Sequence, residues 1–265
     1  SARALDLKRA QDTLVRHVTR HDVEQARAAL VAVRGAGGAP FALHAPVAGR
    51  VLKVHHTSEA TVALGAPLLE TVDVFEEKQA GFVSYRIPGI VVTSKGTVLA
   101  YAEARKNNSS DWGEIEIHLR RSADGGKMWQ PSQLIAHIGA RLEGNPRKKS
   151  GGEHEQTVNN PVAIVDRTTG AIEFLYCINY ARCFSMRSTD DGRTWSKPVD
   201  ITATFEPFRR HYDWKVIATG PGHGIQLKNG RLVVPIWLAY GKTGDHGPSA
   251  AATIFSDDHG QTWKA

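Results

Sequence analysis

Side chains able to do acid–base or ionic chemistry gather in few places along this 265-residue chain. Arg86 stands directly before Ile87 and Pro88, Glu103 and Arg105 lie two apart, and Asp111 and Glu114 follow the polar run Asn107-Asn-Ser-Ser110. A guanidinium group grips a carboxylate through paired, charge-assisted hydrogen bonds, and a positioned carboxyl group moves protons. Each residue also has a plainer reading. Arg86 is then a surface cation, Asp111 a turn residue natural after Asn and Ser, and Arg105 an ion-pair partner of Glu103 or Asp111. Other clusters fail on spacing. His55-His56 and Glu153-His154-Glu155 lack the two-on-one-face spacing of H-E-x-x-H, so no metal site is expected. Glycines 220, 222 and 224 surround His223 without the Lys-Ser/Thr of a phosphate loop, and His223 reads as structural before it reads as a substrate contact. Cys177 and Cys183 form neither a CxxC pair nor a disulfide framework and are expected as buried free thiols. No cofactor is expected.

The elements that would position these residues are announced by a repeat. Ser122-Ala-Asp124-Gly-Gly126-Lys-Met-Trp129, Ser188-Thr-Asp190-Asp-Gly192-Arg-Thr-Trp195 and Ser256-Asp-Asp258-His-Gly260-Gln-Thr-Trp263 all read S-x-D-x-G-x-x-W. They begin 66 and then 68 residues apart, the near-constant period of one recurring supersecondary unit. Within each copy, Asp can accept from the amides just after it, Gly supplies a positive φ and Trp buries a large apolar surface against the turn. From about residue 74 onward the chain reads as short strands separated by Gly, Asp and Asn turns, with no helix longer than two turns.

The first part differs. Residues 1–34 contain neither Gly nor Pro, and apolar residues at helical spacing predict an amphipathic helix within 1–40, ended by Gly35-Ala-Gly-Gly38-Ala-Pro40. Residues 41–73 alternate apolar positions with Gly/Pro turns and predict a small antiparallel β module. The formal charge of +6 is scattered apart from Arg147-Lys148-Lys149, with no aromatic-interleaved basic stripe, so no nucleic-acid partner is expected. No apolar run approaches the roughly 20 residues that cross a membrane as a helix.

Two resemblances follow from these strings. Ala45-Pro46-Val-Ala-Gly49-Arg-Val-Leu-Lys53-Val54, with Ser58-Glu-Ala-Thr-Val and Gly65-Ala-Pro67-Leu-Leu, resembles the biotinyl/lipoyl-like half-barrel of periplasmic adaptor (membrane-fusion) proteins. That implies a scaffolding role and a possible envelope complex. Lys53 sits within a predicted strand, not at a hairpin tip, so no lipoylation is expected. Arg86-Ile-Pro88, combined with the three octapeptides, resembles the sialidase (exo-neuraminidase) family, whose Asp boxes the octapeptides match. Gly96-Thr-Val-Leu-Ala-Tyr101-Ala-Glu103-Ala-Arg105 and Gly220-Pro-Gly-His223-Gly-Ile-Gln-Leu227 also look like family strands.

The second resemblance implies a mainly β fold: over residues 74–265, the N-terminal half of a β-propeller, about three of six four-stranded blades, with each Asp box between a blade's third and fourth strands. It implies a retaining exo-alpha-sialidase that removes terminal sialic acid from glycoproteins, glycolipids and oligosaccharides. In that scheme Arg86 binds the substrate carboxylate, Asp111 is the general acid/base with Glu114 as competitor, and Arg105 is an accessory arginine. Asn159 and Asn160 occupy a stretch where some relatives place a substrate-contacting Asp. The nucleophilic Tyr, an exception to the two-carboxylate rule, its Glu partner and two further arginines are expected beyond Ala265. The chain alone is therefore expected to be inactive, and the family resemblance favours a secreted or periplasmic location. Two other readings stay open: a non-catalytic Asp-box propeller that binds glycans or proteins, and a fragment of an envelope adaptor.

Overall fold

The computed structural model describes residues 72–265 apart from 108–109, 137–138, 146–153, 221 and 244–246, and before them Lys53–Val54 and Leu69–Glu70. The chain falls into two compact units, Ser1–Val72 and Asp73–Ala265. In the first, β1 (Lys53–Val54) pairs antiparallel with β2 (Leu69–Glu70), with Lys53 opposite Glu70. The helix predicted within 1–40, the rest of the module at 41–73 and the basic cluster at Arg147-Lys148-Lys149 lie outside the described residues.

The second unit is three antiparallel sheets. The first runs β3 (Ser84–Val92), β4 (Val98–Arg105), β5 (Ile115–Ser122) and β6 (Gln133–Leu134) in spatial order. The second repeats it with β7 (Val158–Val165), β8 (Ile172–Ile178), β9 (Arg182–Ser188) and β10 (Val199–Asp200). In the third, β11 (Val216–Thr219) and β12 (Ile225–Gln226) share one edge of β13 (Leu232–Thr243), and β14 (Gly247–Ser256) takes the other. A single bridge, Phe255 to Lys264, stands where a fourth strand would begin. These are three blades of a propeller, as the repeat predicts.

Packing between blades explains the sequence pattern. The second strand of each complete blade is buried along its whole length, β4 and β8 alike, so it is mostly apolar and the charges it carries, Glu103 and Arg105 on β4 and Glu173 on β8, are buried with it. Leu99, Tyr101, Ile117 and Leu119 of the first sheet meet Val158, Ala163, Phe174 and Tyr176 of the second in one core. A second core joins Val162, Ile164, Leu175 and Cys177 to Ile217, Val234, Ile236 and Trp263. Cys177 faces Cys183 across β8 and β9, both buried and free. One element departs from expectation: Thr202–Arg210 forms a 3-10 helix of nine residues. Pro207 lies inside it, and its nine residues, with Phe205 and Phe208 three apart, are fewer than the window over which helical periodicity can be read.

Two first strands share an irregularity. Arg86 pairs with Glu103 but Gly89 with Tyr101, so β3 holds one residue more than β4 there. Asn159 pairs with Cys177 but Val162 with Leu175, the same surplus in β7. The extra backbone is absorbed by left-handed residues, Ile87 (φ 49°) and Asn160 (φ 53°), each followed by a proline that cannot donate to the ladder. Gly89 is needed for another reason: a Cβ there would lie 2.1 Å from the Tyr101 ring.

All three boxes close alike. The Ser hydroxyl donates to Asp Oδ1 at 2.8, 2.9 and 2.8 Å and accepts from the Gly amide at 2.7, 2.9 and 2.8 Å. The amide four residues after the Asp donates back to it at 3.0, 2.9 and 2.9 Å. The first two boxes lie between β5 and β6 and between β9 and β10, as expected.

Candidate active site

The bulge in β3 leaves Arg86 opposite Glu103, and the loop after β4 returns Asp111 beside both. Arg86 Nη1 lies 3.2 Å from Asp111 Oδ1, and Arg105 Nη2 donates to that same oxygen at 2.7 Å. Arg105 Nη2 also lies 2.7 Å from Glu103 Oε2, and both side chains are fully buried. Arg86 is half exposed and Asp111 28% exposed. The site therefore grades from a dry ion pair at its floor to an open guanidinium at its mouth. Glu103 Oε1 accepts the Asn160 amide at 2.8 Å, and the Asn160 carbonyl accepts Thr219 Oγ1 at 2.6 Å. First-strand residues of the second and third blades thus brace the floor of the first. Burial raises the Glu103 carboxyl above its ordinary range, opposed by the Asn160 amide and by Arg105.

The sequence-derived residues separate cleanly. Arg86, Arg105 and Asp111 are brought together. Glu114, the competitor of Asp111, is engaged elsewhere: Arg141 donates to both its oxygens at 2.9 and 3.1 Å, and the Gln156 amide adds a bond of 2.8 Å. Asn159 is buried and donates to the Asn160 side chain at 2.7 Å. His223 is exposed and borders a groove with Val91, Val92 and Ile164, at the end of β3 away from Arg86.

Residue types alone offered Glu103 only as an ion-pair partner of Arg105 and missed its place in the site, although its alternation with Arg105 along a strand places both on one face. They also missed Trp112, next to Asp111, whose ring packs 4.5 Å from that of Tyr180. Burial, with Glu103 and Asp111 adding to it, holds the Tyr180 phenol far above its usual range, so it remains protonated. Among the described residues no His, Cys, Asp and Glu cluster could hold a metal ion, and none of the helices is long and apolar enough to cross a membrane.

A β-propeller whose blades are closed by Asp boxes, with a carboxylate between two arginines at one end of the first blade, defines the class. Within it, the sequence model of the BNR repeat-like domain family matches residues 96–265, and the chain belongs to that family. It is 33% identical over 193 residues to an exo-alpha-sialidase of Arthroderma benhamiae, covering 65% of this chain and 45% of the relative. It is 33% identical over 210 residues to sialidase-2 of Mus musculus, covering 75% and 54%. Among solved structures it resembles the Hadza microbial sialidase Hz136, with a TM-score of 0.55 and 29% identity over 69% of this chain and 37% of that one. The chain spans about half the length of the curated relatives it matches.

Proposed function

We propose that this chain supplies the Arg86/Asp111 side of a sialidase-type glycoside hydrolase that removes terminal sialic acid from glycans with retention. One observation carries the reading: Arg86 and Asp111, 25 residues apart, meet at 3.2 Å with the buried Arg105 behind them. Sialic acid bears a carboxylate on its anomeric carbon. Arg86, half exposed, is free to turn from Asp111 toward that carboxylate. Drawing Arg86 away takes one cation from Asp111 and makes it easier to protonate, as a general acid to the leaving oxygen must be. Arg105 acts through Asp111, and Glu103 acts through Arg105 by fixing its position and sharing its charge. The Tyr nucleophile, its Glu partner and two further arginines belong to the remainder of this reading and are sought C-terminal to Ala265. The adaptor-like reading of residues 1–73 rests on the sequence strings alone.

The test is turnover of a fluorogenic sialoside by the chain extended to the length of its relatives. Arg86→Ala is expected to raise KM and lower kcat/KM at least about 100-fold, and Asp111→Asn to lower kcat by about 100- to 10,000-fold. Undiminished turnover in both variants would sink the assignment. Glycan binding without turnover, unaffected by Asp111→Asn, would establish the non-catalytic reading instead.

A further inference from the structure

The fourth residue of each Asp box varies, Gly125, Asp191 and His259, and the structure gives the variation a purpose. All three are left-handed, with φ of 77°, 69° and 59°, and the two that carry a side chain, Asp191 and His259, extend it to the blade before. Asp191 of the second box reaches the first blade. Thr93 Oγ1 donates to its Oδ1, Thr97 Oγ1 to its Oδ2 at 2.6 Å, and Arg121 Nη2 lies 3.1 Å from Oδ2. Arg121 Nε also donates to the Asp191 carbonyl at 3.1 Å. His259 of the third box repeats the move on the second blade. Its Nδ1 lies 2.8 Å from Asp166 Oδ2, and Arg187 Nη1 donates to its carbonyl at 3.1 Å.

The positions correspond. Thr93 and Asp166 each start the turn after a first strand, and Arg121 and Arg187 each precede the Ser of their own box. Even the glycine matches. A Cβ on Gly192 would lie 2.9 Å from Leu99 Cδ1, and one on Gly260 would lie 2.3 Å from Glu173 Cδ, with Leu99 and Glu173 both on second strands.

The first joint is thus an acid on the box held by a base on the blade, above an apolar floor. The second has a base on the box, an acid on the blade and a buried carboxyl beneath. Glu173 is 1% exposed, and its Oε1 has no hydrogen-bond partner although Arg187 Nε stands 3.3 Å away. The charged groups facing it are Arg187 from β9, Asp166 from the turn after β7, and Asp258 with its neighbour His259 from the box. Burial, more than Asp166 and Asp258, pushes the Glu173 carboxyl up to about 7 against the pull of Arg187.

We propose that the joint between the second and third blades is a proton-operated clasp: a proton on Glu173 tightens it, and its loss loosens it, while the first joint does not respond over the same range. A protonated Glu173 is neutral under the box. Loss of its proton leaves a buried carboxylate beneath Gly260, close to the carboxylates of Asp166 and Asp258. No residue of the Arg86 site takes part, so the clasp stands apart from the proposed activity.

The test is hydrogen exchange by mass spectrometry on the 265-residue chain at pH 6 and pH 8, corrected for the intrinsic pH dependence of amide exchange. Peptides spanning 166–171 and 256–262 are expected to exchange on the order of tenfold faster at pH 8, and those spanning 93–97 and 188–194 to hold steady. Glu173→Leu, which copies the first joint, is expected to remove most of the difference. Glu173→Gln, neutral at both pH values, gives the same reading where the leucine variant does not fold. Equal protection at both pH values, a change shared by both joints, or a response undiminished in the Glu173 variants overturns the clasp.

Discussion

The two inter-blade joints have one backbone design and opposite electrostatics. In the first, burial would raise Asp191, but hydroxyls from Thr93 and Thr97 and the Arg121 guanidinium outweigh it, so its carboxyl lies below the ordinary range. A depressed carboxyl contributes stability above its unfolded pKa and loses it as pH falls. In the second, Asp166, held at about 2 by bonds that outweigh its burial, follows the same rule. Glu173, raised to about 7, follows the reverse: its contribution is complete below the unfolded value of 4.5 and is lost as pH rises through 7. The first joint therefore weakens only in acid. The second is strongest in a window between the titrations of Asp166 and Glu173. A repeat can thus keep one backbone joint while exchanging the chemistry that fastens it.

Removing the two arginines should break the comparison most visibly. Arg121 and Asp191 are both buried, and removing one partner of a buried pair strands the other. Arg121→Leu is expected to cost about 3 kcal/mol by denaturant midpoint at neutral pH. Arg187→Leu should cost about 1 kcal/mol, because Arg187 is partly exposed and Glu173 can take up a proton. Equal costs would contradict the distinction. The next largest contrast lies in the glycines. Gly192→Ala and Gly260→Ala both place a side chain at positive φ, each costing about 1 kcal/mol. Gly260→Ala should lose about 1 kcal/mol more, since its methyl meets Glu173 closer than the other meets Leu99. Combining Gly260→Ala with Glu173→Ala should erase that excess, and a double variant with the full loss would argue against contact with Glu173. The smallest effect is expected from His259→Asn, about 0.5 kcal/mol by thermal unfolding, because its bond to Asp166 is partly exposed. A loss as large as that of Arg121→Leu would show that this bond, and not the Glu173 carboxyl, fastens the second joint.

Much of the frame was legible in the sequence because it is written locally. Each Asp box places its Ser, Asp and Gly within a few residues, and their bonds close inside the turn, so a pattern finds them. Arg86 and Asp111 stood out through the motif and loop that carry them. The bulge was half visible: Arg86-Ile-Pro88 drew notice as a signature, whereas Asn159-Asn-Pro161 performs the same backbone manoeuvre under different side chains. Glu103 was read only as an ion-pair partner, because its second bond comes from Asn160, 57 positions away. The joints were invisible for a related reason. Writing the box as S-x-D-x-G-x-x-W averages over the fourth residue, whose side chain in the second and third boxes bonds to the blade before.

Those partners have a consequence in time. Asp191 fastens Thr93 and Arg121 across 98 and 70 residues, and His259 fastens Asp166 across 93. The fasteners of the first and second blades are each encoded one blade downstream, so their contacts carry a high loop-closure cost. On a ribosome, the first blade emerges unfastened and waits for most of another blade to be synthesised before its turn is captured.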